Sequence, residues 1–284
     1  MPQRRPDRRI AAAAGLAALG VAGLGAYALL VEPRRLRVRR VELRLDRWPR
    51  VYDGFRLALV SDLHAGTPHI GVEEVRRVAD VVSREAPDLV ALLGDFLDDH
   101  AAFAEHVDPA AVARALASIR APLGQVAVLG NHDWRTDGEG VLTAFRDAGI
   151  VVLENEGREL RSARVPLWVA GLADATERSP DVRAALAGVP DEAALVVLSH
   201  DPDVFPHVPA RAALTVAGHT HGGQVDLPVA RRHVIPSRFG DRYDAGHIEE
   251  GGRHLFVTRG VGTSGLPIRF RVPPEVVVLT LRPK

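Results

Sequence analysis

The sequence contains no cysteine in its 284 residues. Disulfide bonds, zinc–thiolate sites and thiol nucleophiles are therefore excluded, although a cysteine-free chain suits either side of a membrane. A surplus of charge of one sign is also absent, because Lys+Arg and Asp+Glu both number 36. Proteins that bind nucleic-acid phosphates usually carry a basic excess, so we expect no nucleic acid among the partners. With 46% hydrophobic residues, the chain can form a substantial core in one domain.

Charged residues are missing from one long stretch near the N-terminus, residues 10–31. As a helix this stretch would be about 33 Å long, enough to cross the hydrocarbon core of a bilayer. We interpret it as a retained single-pass anchor, or signal anchor, in the cell membrane. Two alternatives stay open: a signal peptide cleaved after Ala26-Tyr27-Ala28, and a twin-arginine export signal at Arg8-Arg9. The apolar run continues past the possible cleavage site at Ala28, and the residues after Arg8-Arg9 match the export pattern poorly.

Arginines flank the apolar stretch on both sides, so the positive-inside rule leaves the membrane face of the remaining chain undecided. They are Arg4, Arg5, Arg8 and Arg9 before the stretch and Arg34, Arg35, Arg37, Arg39 and Arg40 after it. The same basic residues suit contact with anionic headgroups. We predict that residues 1–40 form the basic N-terminus, the anchor and a basic linker, and that residues 41–284 form one folded domain.

Strand and helix patterns alternate from Val41 onward. Helical spacing of apolar residues predicts helices at 71–86, 109–119, with Asp108 as N-cap, and 140–148. Apolar runs predict strands at 41–45, 55–60, 89–93 and 125–129. After residue 150 the connections shorten, and the pattern predicts a helix at 180–187 and strands at 150–153, 159–160, 167–170, 195–198, 214–217, 255–258 and 276–281. We therefore expect an α/β protein with two sheets face to face and helices outside, an α-β-β-α sandwich.

Asp, His or Asn side chains follow five of the predicted strands. The motifs are Asp62-x-His64, Gly94-Asp95-x-x-Asp98, Gly130-Asn131-His132-Asp133, His200, and Gly218-His219-x-His221. Each motif alone has an ordinary explanation, because Asp and Asn often cap turns and histidines are common on surfaces. Five strand ends carrying the same residue types indicate one shared site.

Carboxylate, amide and imidazole ligands without sulfur suit Mn²⁺, Fe²⁺ or Zn²⁺ better than a soft metal. The motifs offer more ligands than one tetrahedral ion needs, and they fit two divalent ions bridged by a shared carboxylate. Two such ions lower the pKa of a bridging water and bind phosphoryl oxygens, so that hydroxide can attack phosphorus in line with the leaving oxygen.

At these motifs, and over residues 55–281, the sequence resembles the calcineurin-like metallophosphoesterase superfamily. The resemblance implies the two-sheet sandwich with a dimetal centre that hydrolyses a phosphate ester or pyrophosphate by attack of a metal-bridging hydroxide. It also implies the ligands: Asp62, His64 and His221 for the first metal, Asn131, His200 and His219 for the second, and Asp95 as the bridge. His132 would stabilise the transferring phosphoryl group or protonate the leaving oxygen, with Asp133 orienting its ring.

Three further phrases resemble the membrane-anchored or exported bacterial branch of this superfamily, namely residues 199–203, 221–224 and 259–270. That branch is similar to enzymes that hydrolyse UDP-2,3-diacylglucosamine in lipid A synthesis, which gives a narrower alternative function with a lipid-linked substrate. A non-catalytic membrane scaffold that retained the fold is the alternative of another class. The complete ligand set together with His132 argues against a scaffold.

Several residues outside the ligand set keep two interpretations. Arg259 and Arg269 are candidates to bind substrate phosphate, with a structural salt bridge as the alternative. Asp98 is either an outer partner of the metal centre or a solvated loop carboxylate. Trp134 is expected to pack in the core or to border the pocket.

Overall fold

Two six-stranded sheets make up the body of the protein. The computed structural model describes residues 8–101, 103–160, 166–227 and 235–284, so Arg4 and Arg5 of the basic N-terminus lie outside the described residues. In chain order the strands are β1 Arg37–Leu45, β2 Phe55–Val60, β3 Leu89–Leu92, β4 Gln125–Ala127, β5 Val151–Val152, β6 Glu156–Leu160, β7 Leu167–Gly171, β8 Ala194–Leu198, β9 Leu214–Ala217, β10 Gly246–Glu250, β11 Arg253–Val257 and β12 Glu275–Pro283.

The first sheet has the order β1-β12-β2-β3-β4-β5. Strands β2 to β5 are mutually parallel, whereas β12 is antiparallel to β2 and parallel to β1. The second sheet has the order β10-β11-β9-β8-β7-β6, with β7, β8, β9 and β11 parallel and the two edge strands antiparallel. Leu57 and Leu59 of the first sheet meet Val196 and Phe256 of the second in a shared buried core.

Helices cover the outer face of each sheet. They are α2 Val72–Arg84, α3 Pro109–Ala117, α4 Asn131–Asp147 and α5 Val182–Leu186, whereas the exposed helix α1 Arg8–Ala26 precedes both sheets and covers neither. Helices α2, α3 and α4 pack on the first sheet through a second buried cluster, and α5 packs on the other sheet. The predicted α-β-β-α sandwich is therefore confirmed, as is Asp108, whose side chain accepts from the Ala110 amide at 2.9 Å.

Two elements differ from the sequence patterns. Helix α4 begins at Asn131, inside the motif of residues 130–133, because Asp133 caps its first turn by accepting from the Gly130 amide at 3.0 Å. A non-helical residue, Asp137 with φ −163°, interrupts the helix before its apolar half, which is the half that helical spacing reveals. Strand β10 was not predicted because its residues, Gly-His-Ile-Glu-Glu, read as a polar loop next to several glycines.

The N-terminal apolar segment is one long helical element. Helix α1 continues into a π-helical turn, Tyr27–Val31, and a 3₁₀ turn, Glu32–Arg34. The span Ala12–Arg34 is long and apolar enough to cross a membrane, and its most apolar window is fully exposed. Strand β1 begins at Arg37, so the domain boundary predicted after Arg40 falls inside a paired strand.

Removal of residues 1–40 should destabilise the domain, whereas removal of residues 1–26 should not. The longer truncation breaks the pairing of Arg37–Arg40 with β12 and the contact of Arg40 Nε with Glu85 Oε2 at 2.8 Å. At about 1 kcal/mol per lost hydrogen bond, we expect a loss of roughly 2–5 kcal/mol. Urea unfolding of the two truncated proteins measures the difference, and equal midpoints would place the boundary after Arg40 after all.

Candidate metal centre

The loops after β2, β3, β4, β8 and β9 meet at one end of the two sheets. Because the carboxyl ends of parallel strands lie at the same edge, these loops carry all the predicted ligands to one place. Six of them are buried and His219 is partly exposed; they are Asp62, His64, Asp95, Asn131, His200 and His221. The structure thus brings the seven predicted ligands together.

Five of the seven predicted ligands have left-handed backbones. Their φ angles are 53° at Asp62, 48° at His64, 54° at Asp95, 69° at His219 and 53° at His221. Residues other than glycine rarely adopt this conformation, which costs free energy unless the surrounding structure enforces it. Such strain concentrates at functional sites, and here each left-handed turn directs a ligand side chain into the same space.

Asp62, His64 and His221 form the first group of potential ligands. The Nε2 atoms of His64 and His221 lie 3.0 Å apart, and His221 Nε2 lies 3.4 Å from Asp62 Oδ1. Gly218 is required beside this group, because a Cβ there would overlap Ser61 Oγ and approach Asp62 Oδ2 to 2.6 Å. The Asp62 carboxylate also accepts from the His219 amide at 3.0 Å, which links the first group to the second.

Asp95, His200 and His219 form the second group. His200 Nδ1 donates to the Leu93 carbonyl at 2.7 Å, so the neutral form of this imidazole carries its lone pair at Nε2. That Nε2 atom lies 3.0 Å from His219 Nδ1 and 3.2 Å from Asp95 Oδ2. A backbone-fixed tautomer with its lone pair turned to other ligands is the usual arrangement of a metal-binding histidine.

One carboxylate oxygen lies between the two groups. Asp95 Oδ2 is 3.2 Å from His200 Nε2 and 3.6 Å from His64 Nε2, while Oδ1 accepts from the His132 amide at 2.8 Å. The Asn131 Oδ1 atom is buried next to this group and has no hydrogen-bond partner among the described residues. A buried acceptor without a donor costs free energy, so a cation fits this position. The donor set of oxygen and imidazole nitrogen fits two divalent ions.

Three histidines of the two groups, His200, His219 and His221, have strongly shifted pKa values. Burial and the charge of His200 lower the pKa of His219 to about 3. Burial, together with the charges of His64 and Arg269, holds the pKa of His221 well below its ordinary value. Burial also lowers the pKa of His200, but the adjacent Asp95 carboxylate outweighs it and leaves this pKa well above the ordinary value. His219 and His221 are thus neutral near pH 7 and have lone pairs to offer.

Asp133 has a different environment from the one that the sequence suggested. Its carboxylate accepts from the backbone amides of Asp95 at 2.8 Å, Phe96 at 2.8 Å and Gly130 at 3.0 Å, so it does not orient the His132 ring. A carboxylate bound by several amides instead fixes the loops after β3 and β4 against each other. Asp133 therefore positions Asp95, and the expectation that it holds the His132 ring is corrected.

Asp98 is the carboxylate next to His132. His132 Nδ1 lies 3.1 Å from Asp98 Oδ2, and His64 Nδ1 lies 3.3 Å from the same oxygen. Burial raises the pKa of Asp98, but the contacts with His132 and His64 outweigh it and lower the pKa well below the ordinary value. Burial likewise lowers the pKa of His132, yet the Asp98 contact outweighs it, so the net shift is upward. The sequence left Asp98 undecided between this position and a solvated loop.

A cavity of about 590 Å³ opens from the centre to solvent. On the metal side its described lining residues are Asp95, Asn131, His132, His219 and His221. The other described residues of the wall are Arg135, Thr176, Asp201, Thr220, Gly223, Gln224, Val225, Pro236, Ser264, Leu266 and Ile268. Among these lining residues, Arg135 is the arginine. Sequence reasoning missed it, although its position three residues after His132 on α4 places both side chains on one helix face.

The two arginines predicted to bind phosphate lie elsewhere. Arg269 is fully buried, and its guanidinium donates to the carbonyls of Gly262 at 2.9 Å, Arg259 at 2.9 Å and Val272 at 3.1 Å. It therefore holds a loop together instead of contacting substrate, and burial lowers its pKa to about 10. Neither Arg259 nor Arg269 is among the described residues that line the cavity. Trp134 packs under the Arg178 guanidinium at 4.4 Å, outside the cavity wall.

Comparison with known proteins gives consistent matches. The profile described as calcineurin-like phosphoesterase matches residues 55–223. Metallophosphoesterase YkuE of Bacillus subtilis is 30% identical, over 93% of this chain and 92% of that protein. A transmembrane protein with metallophosphoesterase domain from Danio rerio is 28% identical, over 94% of this chain and 62% of that protein. UDP-2,3-diacylglucosamine pyrophosphatase LpxG of Chlamydia trachomatis is 25% identical, over 88% of this chain and 90% of that protein.

Asp95→Ala should lose both metal ions while the fold survives, because the Asp95 carboxylate lies between the two ligand groups. Metal content per chain, measured by elemental analysis, should fall from two ions to fewer than one, and circular dichroism should be unchanged. Asp80→Ala, which removes an exposed carboxylate of α2, is the matched control and should keep both ions. Two ions per chain in the Asp95 variant would refute the bridging position.

Proposed function

Because the chain belongs to the calcineurin-like phosphoesterase family, we propose that it hydrolyses a phosphate ester or pyrophosphate at a membrane with a dimetal centre. As a family member the chain is a metal-dependent phosphohydrolase. We propose an assignment of the ligand residues to the two ions and a location for the reaction at a membrane. The observation that carries it is Asp95 Oδ2, which lies between His64 Nε2 and His200 Nε2.

The ligand groups divide between two ions. The first ion would be held by Asp62, His64 and His221. The second ion would be held by Asn131, His200 and His219, and Asp95 would contact both ions. When bound, two divalent ions supply the positive charge that activates water and neutralises phosphoryl oxygens. The protein contributes a buried, preorganised donor set, since the His200 tautomer is fixed by the Leu93 carbonyl. The oxygen and nitrogen donors suit Mn²⁺, Fe²⁺ or Zn²⁺.

His132 is the candidate to protonate the leaving oxygen. It lines the cavity, its Nδ1 faces Asp98 at 3.1 Å, and its Nε2 lies 3.4 Å from Ser264 Oγ at the cavity wall. Asp98 raises the pKa of the ring and so favours the protonated form that an acid needs. Asp133 supports the site from behind, through its bonds to the amides around Asp95.

A lipid-linked pyrophosphate is the narrower candidate substrate. The cavity wall opposite the ligands contains Val225, Leu266 and Ile268, which suit an apolar group beside the scissile phosphate. One relative carries the name UDP-2,3-diacylglucosamine pyrophosphatase. The apolar span Ala12–Arg34, and a relative named as a transmembrane protein, support action at the membrane.

His132→Ala should keep both metals and lose about 10²–10⁴-fold in rate, the usual scale for a positioned acid or base. The loss should be smaller for nitrophenyl esters than for alkyl esters, because nitrophenolate leaves without protonation. Asp98→Asn should show the same leaving-group dependence with a smaller loss. Equal losses for both ester classes would assign His132 to charge stabilisation instead of protonation.

Hydrolysis assays of the metal-loaded protein with three substrate classes distinguish a lipid-linked pyrophosphate from a soluble phosphate ester as the substrate. If a lipid-linked pyrophosphate is the substrate, UDP-2,3-diacylglucosamine should be cleaved with a kcat/KM at least tenfold above that of soluble phosphomonoesters and phosphodiesters. Asp95→Ala serves as the inactive control. Preference for a soluble ester would reject the narrower candidate, and absence of hydrolysis of any class would favour a non-catalytic scaffold.

A further inference from the structure

The end of the anchor is bonded to the loop that borders the candidate active site. The backbone amide of Arg269 donates to the Ala28 carbonyl at 3.0 Å. Ala28 is buried, unlike α1 itself, and so are Glu32 and Pro33 just after it. The Glu32 carboxylate is also one of the anions that stabilise the charge of Arg269. The anchor end and residues 262–272, called the rim loop below, therefore pack as one unit.

The rim loop forms part of the cavity wall. Ser264, Leu266 and Ile268 line the cavity, and Ser264 Oγ approaches His132 Nε2 to 3.4 Å. Leu266 lies three positions before Arg269, so its Cα atom lies within about 11 Å of the Cα atom of Arg269, the residue bonded to the anchor end. If the apolar stretch of residues 10–31 spans a membrane, its end at Val31 lies at the membrane surface. The cavity mouth must then lie at the same level.

Leu266 of the cavity wall is one of the exposed hydrophobic residues outside the anchor. Beyond the anchor and its helical turns, four large hydrophobic residues are exposed among the described residues: Phe103 at 83%, Leu266 at 61%, Leu227 at 44% and Val51 at 37%. Leu227 follows Asp226, whose amide donates to the Phe270 carbonyl of the rim loop at 2.9 Å. Val51 precedes β2, whereas the metal ligands follow it, so about 20 Å of strand separates Val51 from the centre.

Phe103 is connected to the rim loop through the loop after β2. Two residues beyond Phe103, the Glu105 amide donates to the Gly66 carbonyl at 2.8 Å. In the same loop, His69 Nε2 lies 2.9 Å from the Pro267 carbonyl of the rim loop. Three of the four exposed hydrophobic residues therefore lie on segments joined to the rim loop, the segment that is itself bonded to the anchor.

We propose that the side chains of Phe103, Leu227 and Leu266 insert into the interfacial layer of the membrane that holds α1. Exposed Leu and Phe side chains lose their contact with water there, and the exposed arginines 34, 35 and 37 lie at the level of anionic headgroups. The cavity then opens toward the bilayer. Taken together with the proposed function, on which this step rests, the substrate is an amphiphilic phosphate ester whose apolar part stays in the membrane.

Lipid contact can be measured without any assay of catalysis. Because the chain has no cysteine, single cysteines placed at Phe103, Leu266 and Val51 can each be labelled specifically with an environment-sensitive fluorophore. The full-length variants are reconstituted in phosphatidylglycerol–phosphatidylcholine vesicles with and without brominated lipid. We expect at least twofold quenching at positions 103 and 266 and none at position 51. Equal quenching at the three positions, or none at any of them, would overturn the inference.

Activity tests the consequence for substrate. Phe103→Glu in the full-length protein should slow cleavage of a lipid phosphate ester in vesicles at least tenfold and leave cleavage of nitrophenyl phosphate unchanged. Val51→Glu, the matched control, should change neither rate. Equal lipid cleavage by the two variants would refute delivery from the bilayer. Absence of hydrolysis by the unmodified protein would instead count against the proposed function, and the quenching result would still stand by itself.

Discussion

Buried carboxylates impose the strongest constraint on this fold. Asp62, Asp95 and Asp133 are almost completely removed from solvent, and an ionised carboxylate in such a place costs several kcal/mol unless it is paired. The structure satisfies them in two ways. Asp133 is surrounded by backbone amides, whereas Asp62 and Asp95 share their oxygens between an amide and imidazole nitrogens. The second arrangement leaves both carboxylates in groups that could hold a metal ion.

The two sheets make that arrangement possible. Each parallel strand contributes one loop to the same edge, and left-handed residues turn the loops after β2, β3 and β9 sharply enough to direct their ligand side chains inward. Gly218 permits the closest approach, because a side chain there would displace Asp62. The strain at the strand ends is offset by the packed core between the sheets, in which Leu57, Leu59 and Val196 are completely buried. The core residues that stabilise the fold and the loop residues that shape the site therefore lie in different parts of the structure.

The sequence revealed those parts of the site that depend on strand ends. Apolar runs locate the strands, and the polar residues after them locate the ligands, so the sandwich and the convergence of seven side chains were predictable. The contacts of individual side chains were not predictable from the sequence. Asp133 follows His132 directly, yet its carboxylate turns to the backbone, and Asp98 from another loop takes the place beside the ring. Likewise, Arg269 resembles a phosphate ligand in sequence, but only the folded loop shows its guanidinium enclosed by carbonyls.

The position of β12 has a consequence for the order of synthesis. Strand β12 lies between β1 and β2, so β1 joins the sheet only through the strand that follows all others in the chain. On the ribosome, the apolar span Ala12–Arg34 is synthesised long before β12. Meanwhile β1, which starts shortly after that span, has no partner in its own sheet. Maturation of the first sheet is thus completed only when β12 leaves the exit tunnel.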